Sequence, residues 1–180
     1  PTVDKLLSIL TFNRIRPILV ITKCELAPAR AAELRALYEQ AGFLVFVLSS
    51  YTGEGISKLA AFTRSPDAGE IMAVAGASGA GKSTLLNAIF PDLGLVTGAL
   101  SEKIGRGKNT TRHAQMLIHD GIRVLDTAGF SLLELDAKME PDKLRECYPE
   151  FASHEGCCRF TPCMHDREPG CSVTAAVNAG

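Results

Sequence analysis

No apolar run in this 180-residue chain approaches the length needed to cross a bilayer, so a membrane-spanning helix is excluded. Its first residues, PTVDKLLSILTFNRIRP, have neither the basic start nor the small-residue cleavage site of a secretory signal. Charge of one sign is not in surplus: a formal net charge of -1 and a pI near 6.5 give no global pull toward nucleic acid, so an RNA partner must be met by a local basic patch. Internal repeats and low-complexity tracts are missing too. A cytoplasmic protein with no membrane partner is expected.

What is present suits one respectable core. At 46% hydrophobic the composition is ordinary for a globular domain with at most a small appendage. The opening lacks an initiator Met and the ending, AAVNAG, stops inside a helical pattern, so the sequence reads as a piece of a longer protein trimmed at both ends.

Apolar residues at helical spacing (Val3, Leu6, Leu7, Leu10) predict a helix over 3–14, and the run Ile18–Ile21 after Pro17 predicts a buried strand. Ala29 to Gln40 reads as a helix stopped by Gly42, Phe43 to Leu48 as a second buried strand, and a short helix follows to about Phe62. Ser65–Gly69 breaks the chain as a linker. Glu70–Ala75 then predicts a third strand, 82–90 a helix, Gln115–His119 a fourth strand and Ile122–Leu125 a fifth. Strands alternating with helices predict an α/β fold built on a parallel sheet covered on both faces. From about Pro141 the pattern becomes polar, helical and Cys-rich.

Gly76-Ala77-Ser78-Gly79-Ala80-Gly81-Lys82-Ser83 satisfies G-x-x-x-x-G-K-[ST] between an apolar strand and a helix, the context this phosphate-binding motif requires. The glycines let successive N–H groups and the helix N-terminus face an anionic phosphate; Lys82 adds a point charge, and the Ser83 hydroxyl can ligate Mg²⁺. Thr84 continues the loop into the helix. The wording also resembles the loop of transporter ATPases, but those carry an LSGGQ-type signature and a strand ending in Asp-Glu, and neither occurs here. Instead, the strand Ile122–Leu125 runs into Asp126-Thr127-Ala128-Gly129. An Asp at a strand end can hold Mg²⁺ through water, and the Gly three residues on can offer its N–H to a γ-phosphate.

Upstream, strand Ile18–Ile21 leads into Thr22-Lys23-Cys24-Glu25 and strand Phe43–Leu48 into Ser49-Ser50. These look like variants of the guanine-recognition motifs N-K-x-D and S-A-x. The Glu25 carboxylate can accept from guanine N1–H and the exocyclic amine, donors that adenine lacks, while the Lys23 stem packs over the base. Glu25 in place of Asp lengthens the arm, and Thr22 in place of Asn removes an amide that would tie the loops together. The order base, base, phosphate loop, D-x-x-G is a circular permutation of the usual one, joined through the linker near Ser65–Gly69.

These stretches, with TKCEL, SSYTGEG, GASGAGKSTLLNAI, GRGKNTTRH, DTAGF and CCRFTPCMHDREPGC, resemble the bacterial ribosome small-subunit-dependent GTPase A (RsgA/YjeQ) family over essentially the whole chain. The resemblance implies a P-loop NTPase fold with circularly permuted GTPase topology and a role in late maturation of the small ribosomal subunit. Family members also carry an N-terminal OB-fold, none of which is in this sequence. Gly105–His113 resembles the family's switch I, whose threonine reaches Mg²⁺ and the γ-phosphate; Thr111 is preferred, with Thr110 its competitor. Where the family often has His before the Thr pair, this chain has Asn109, an amide able to orient water but not to exchange a proton. Phe130 stands where many GTPases place a water-orienting Gln, which predicts a slow intrinsic rate open to stimulation; His113 is a substitute to weigh. Lys103, Arg106, Lys108 and Arg112 make this region basic, suited to rRNA phosphates.

Four of the six cysteines crowd the last part of the chain. Cys158, Cys163, His165 and Cys171 supply three thiolates and an imidazole, the ligand set of a closed tetrahedral zinc site, which makes the metal structural. Cys157 could stand in for Cys158 by a one-residue slip; the family pattern favours Cys158. Cys24 and Cys147 read as buried small hydrophobes.

The expected organisation is a permuted GTPase domain over 1–140 and a C-terminally truncated zinc-binding domain over 141–180. The expected activity is hydrolysis of GTP to GDP and phosphate with Mg²⁺, on the small ribosomal subunit and its rRNA, by a monomer. The catalytic set is Lys82, Thr111, Asp126, Gly129 and Asn109; Ser83 and Thr111 hold Mg²⁺. The alternatives are a nucleotide-dependent rRNA-binding module with negligible hydrolysis, and an ATPase, which Glu25 and the missing LSGGQ disfavour.

Overall fold

A computed structural model describes residues 2–77, 79–95, 115–119, 121–126 and 140–179. In chain order the described elements are α1 (Thr2–Phe12), β1 (Ile18–Ile21), α2 (Pro28–Gln40), β2 (Leu44–Val47), α3 (Ile56–Thr63), β3 (Ile71–Val74), α4 (Lys82–Ile89), β4 (Gln115–His119), β5 (Ile122–Asp126), a short α5 (Pro141–Leu144) and α6 (Ser172–Ala179), with short 3₁₀ segments between several of them. None of the described helices is long and apolar enough to cross a membrane. The chain gathers into two compact units, one of Pro1–Leu19, Glu33–Val45 and Leu133–Gly180 and the other of Val20–Ala32 and Phe46–Leu132.

The second unit holds the larger core. Leu85, Leu86 and Ile89 share one stripe of α4 and meet Leu48, Leu59, Phe90 and Val124, with Phe90 only 1% exposed. β3 runs parallel to β5 in the register Val74 to Asp126, the crossover expected of a βαβ unit. β4, however, runs antiparallel to β5, pairing His119 with Ile122. That corrects the all-parallel reading. Only two residues separate these strands, too few for a crossover but right for a hairpin, and Gly121 takes the positive φ of 79° that such a turn requires.

The described strands form a β1-β2 pair and a β3-β5-β4 sheet. In that three-stranded sheet the expectation of strands covered on both faces is not met: Ile71 on β3 is 54% exposed and Ile118 on β4 is 67% exposed, their neighbours Met72 and Leu117 being partly buried, whereas β1 and β2 carry no exposed residue. The alternation belongs to a sheet with one better-covered face.

In the first unit two helices end the same way. The N–H of Ile15 bonds to Leu10 and that of Arg14 to Thr11; the N–H of Phe43 bonds to Tyr38 and that of Gly42 to Glu39. Both are Schellman stops, with Arg14 at φ 57° and Gly42 at φ 88°. The helix over 3–14 therefore ends at Phe12. Tyr38 of α2 donates its hydroxyl to Asp4 of α1 at 2.9 Å. A smaller core of Cys163, Cys171 and Val173, flanked by Phe151 and Cys158, lies at the C-terminal end.

Candidate functional site

The phosphate loop is shaped by its glycines. Gly79 and Gly81 take φ 78° and 90°, values open to glycine and costly for other residues, and Gly81 ends the loop as the N-cap of α4. Its carbonyl starts the helical ladder by accepting from Leu85 at 2.8 Å. Lys82, the first residue of α4, turns back over the loop and donates to the carbonyls of Gly76 at 2.7 Å and Ala77 at 3.1 Å. The ammonium is thereby held across the carbonyls of the loop that leads into α4. Ser78 lies outside the described residues.

The Thr22–Glu25 loop is fastened directly to this phosphate loop. Thr22 donates its hydroxyl to the carbonyl of Ala80 at 2.8 Å, and Lys23 donates its ammonium to the carbonyl of Gly79 at 3.0 Å. The sequence reading has Thr22 giving up the tie that Asn would make; the hydroxyl makes one nonetheless. Lys23 is held in the left-handed region at φ 58°, which turns the chain from β1 into the 3₁₀ turn Cys24–Leu26. Oε2 of Glu25 in that turn is buried and has no hydrogen-bond partner. A carboxylate oxygen left without donors is costly unless something supplies them. The N1–H and exocyclic amine of a guanine are donors of the right kind.

The second loop is tied to the first. The N–H of Leu48 bonds to Ile21 at 2.9 Å and that of Cys24 to Leu48 at 3.3 Å, so the ends of β1 and β2 advance side by side. Cys24 is buried with its thiol toward Glu54, and burial, with the Glu54 carboxylate second, pushes the thiol pKa up. Ser49 is 0% exposed, and its hydroxyl accepts from the N–H groups of Tyr51 and Thr52 at 3.2 and 3.1 Å. It holds the loop's shape, while Ser50 is exposed at its edge. Gly55, at φ 74°, closes the loop: a Cβ there would collide with the Val47 carbonyl and come within 3.0 Å of Leu48 Cβ.

Asp126 ends β5 opposite Val74, two residues before Gly76, so the D-x-x-G segment starts beside the strand that feeds the phosphate loop. The Asp126 side chain, Gly129, Phe130, and the switch I candidates Asn109, Thr110, Thr111 and His113, with Lys103, Arg106, Lys108 and Arg112, lie outside the described residues.

In the first unit Cys158, Cys163, His165 and Cys171 converge, their ligand atoms all within 4.8 Å of one another. Nδ1 of His165 lies 3.7 Å from the Cys158 sulfur and 3.3 Å from that of Cys171. Tetrahedral zinc with Zn–S of about 2.3 Å and Zn–N of about 2.0 Å needs such ligand separations, and three soft sulfurs with one imidazole suit that ion. Cys157 is exposed, so Cys158 is the residue in the cluster.

Helix α6 begins at the cluster and points its N–H groups into it: Ser172 donates to the Cys158 sulfur and Thr174 to that of Cys171, each at 3.4 Å. The hydroxyl and N–H of Thr174 lower the Cys171 pKa to about 6, whereas burial pushes Cys163 up to about 11. A cation bound by the cluster would draw off the thiol protons. Ser172 and Thr174 escaped the sequence reading; their place just after Cys171 at a helix start is the signal that could have found them.

A family model described as RsgA GTPase matches residues 1–136. A small ribosomal subunit biogenesis GTPase RsgA from Moorella thermoacetica is 42% identical over 178 residues, covering 98% of this chain and 60% of that protein. One from Geobacillus kaustophilus is 42% identical over 181 residues with the same coverage. The crystal structure of YloQ, a circularly permuted GTPase, superimposes with a TM-score of 0.72 at 30% identity, over 99% of this chain and 55% of that one. This chain therefore spans about 60% of the length of the curated relatives it matches.

Proposed function

The chain belongs to the RsgA GTPase family, and on that premise we propose that it binds GTP and GDP with Mg²⁺ and hydrolyses GTP in the maturation of the small ribosomal subunit. The observation that carries the guanine assignment is the unpartnered, buried Oε2 of Glu25 in a loop bonded to the phosphate loop through Thr22 and Lys23. The two halves of a nucleotide site share one frame, and the half that would read the base has an acceptor in want of donors.

In this reading Gly76 to Thr84 wrap the phosphates with backbone N–H groups, and Lys82 exchanges its bonds to Gly76 and Ala77 for phosphate oxygens. Glu25 accepts from the base; Ser49 and Gly55 fix the loop from which Ser50 meets the base edge. Mg²⁺ would supply neutralisation of the phosphate charge, and Ser83, Thr111 and Asp126 are the residues that would hold it. Gly129 offers its N–H to the γ-phosphate, and the Asn109 amide orients water. With Phe130 in place of a water-orienting Gln the unaided rate is slow, and the small subunit raises it, the basic residues Arg106 and Lys108 meeting rRNA phosphates. Residues 1–140 are assigned to the GTPase domain and 141–180 to the zinc-binding domain, with one structural Zn²⁺ on Cys158, Cys163, His165 and Cys171. A cytoplasmic monomer without a membrane partner completes the proposal.

The test is a competition titration of fluorescent GDP against GDP, GTP, ADP and ATP with Mg²⁺, repeated on Glu25→Ala, followed by single-turnover GTP hydrolysis with and without small subunits. Guanine nucleotides alone should compete, and the variant should lose that preference by about 10-fold or more, the worth of a charge-assisted hydrogen bond. Equal competition by ADP would overturn the base assignment, and hydrolysis unmoved by small subunits would overturn the ribosomal one.

A further inference from the structure

His165 is the one member of the metal cluster that reaches it from a left-handed backbone, at φ 62°. A residue with a Cβ avoids that conformation unless its surroundings hold it there. The holding group is three residues on. Glu168 accepts from the N–H of Met164 at 2.7 Å through Oε1, and from those of Asp166 at 3.0 Å and Arg167 at 3.2 Å through Oε2. Its carboxylate gathers the amides on both sides of His165 while the ring packs edge-on against Phe151, 5.4 Å between centroids at 74°.

We infer that Glu168 is the positioning residue of this centre: by binding three amides around His165 it stabilises the left-handed turn that aims Nδ1 at the sulfurs of Cys158 and Cys171. Glu168 is not itself a ligand, being absent from the group of converging donor atoms. Two fixed points result, carboxylate on backbone and Phe151 on ring, and between them the imidazole has little freedom to swing away. Secondary contacts of this kind raise metal affinity by preorganising the ligand, typically by about 10–100-fold. The other three ligands are set differently: Cys171 immediately precedes α6, Cys158 accepts from Ser172, and the carbonyl of Cys163 accepts from Arg145 at 2.9 Å.

The inference rests on the zinc reading above, and the experiment separates the two. Zn²⁺ content and release to a chromophoric chelator are measured on the whole chain for the wild type, Glu168→Ala and Glu168→Gln, and Co²⁺-substituted samples are read by visible absorption. The wild type should hold one Zn²⁺ and show a three-sulfur, one-nitrogen Co²⁺ spectrum. Glu168→Ala should release the metal about 10–100-fold faster with a band shift marking a displaced imidazole. Glu168→Gln, which keeps one acceptor oxygen for two of the three amides, should fall between. Amide exchange in the wild type supplies a readout that no folding failure can spoil: Met164, Asp166 and Arg167 should be protected. Release from Glu168→Ala within twofold of wild type and an unchanged spectrum, or free exchange of those three amides, would overturn the positioning role. A wild type that takes up no Zn²⁺ would overturn the metal reading itself and the role with it.

Discussion

Thr22 and Ala80, 58 positions apart in the chain, share a 2.8 Å hydrogen bond from hydroxyl to carbonyl, and through it the loop after β1 is fastened to the Gly76–Ser83 loop. The bond is part-buried and short, and the Lys23 bond to Gly79 runs beside it. A shift of either loop therefore moves the other.

Thr22→Val keeps the shape and removes the donor. One net hydrogen bond of about 1 kcal/mol corresponds to roughly fivefold in affinity, so calorimetric titration with GDP should show a loss of about that size. The preference for guanine over adenine should survive, since Glu25 is untouched, and Thr22→Asn should restore most of the affinity. Unchanged GDP binding in the valine variant would mean that the bond is idle.

Gly55→Ala should damage the fold more than the site. The added Cβ meets the Val47 carbonyl and the Leu48 side chain, and φ is 74°. Left-handed strain alone costs about 1–2 kcal/mol, and the collision adds to it. A fall in melting temperature of at least about 5 °C is expected by calorimetric scanning. The same substitution at Gly53, where a Cβ would meet nothing within 4 Å, should do less, the left-handed strain being its only penalty.

Metal removal should act locally. The small core around the cluster consists largely of the proposed ligands, Cys163 and Cys171 with Val173, so little apolar contact remains when the sulfurs part. Hydrogen exchange after chelation should rise across Cys158–Ala179. It should stay unchanged in β3 and β5, whose core of Leu85, Leu86, Phe90 and Val124 contains no ligand. Uniform loss of protection throughout the chain would contradict this.

Alkaline pH should loosen the α1–α2 pair. Burial, and then the hydrogen bond to Asp4, raise the Tyr38 pKa above its ordinary value of about 10. Because the folded value is the higher, the neutral phenol stabilises the fold fully below the unfolded pKa, and this contribution is lost as pH rises through the folded one. Thermal stability should fall above about pH 10, and Tyr38→Phe should remove that part of the decline while leaving the contributions of the buried thiols Cys24 and Cys147 in place.

The strand-to-loop junctions were legible in the sequence because each carries its own chemistry. Apolar runs ending in Thr22, Ser49 and Gly76 marked β1, β2 and β3, and the G-x-x-x-x-G-K-S spacing marked the turn into α4. The metal cluster was legible for the same reason, soft ligands at close spacing. What escaped was relational. Apolarity in Gln115–His119 and Ile122–Leu125 said strand but not direction; the two residues between them decided that. Ile71 reads as core by composition and is exposed, since a run of side chains does not say which face has a neighbour. Gly42 announced the end of α2, whereas the equivalent stop of α1 falls on Arg14, a residue with no such signature. Thr22 was singled out by its motif, but its bond to the Ala80 carbonyl was not legible, since every residue has backbone groups and no motif displays them.

Lys82 has one further consequence. Its ammonium is already bonded to Gly76 and Ala77, so on the proposed function phosphate binding is an exchange of partners rather than an addition. The heat released should be smaller than a count of phosphate contacts implies. Removing this lysine would also strip the loop of a brace across its own carbonyls, so on that proposal grip and scaffold ride on one side chain and no single substitution at position 82 can report on either alone.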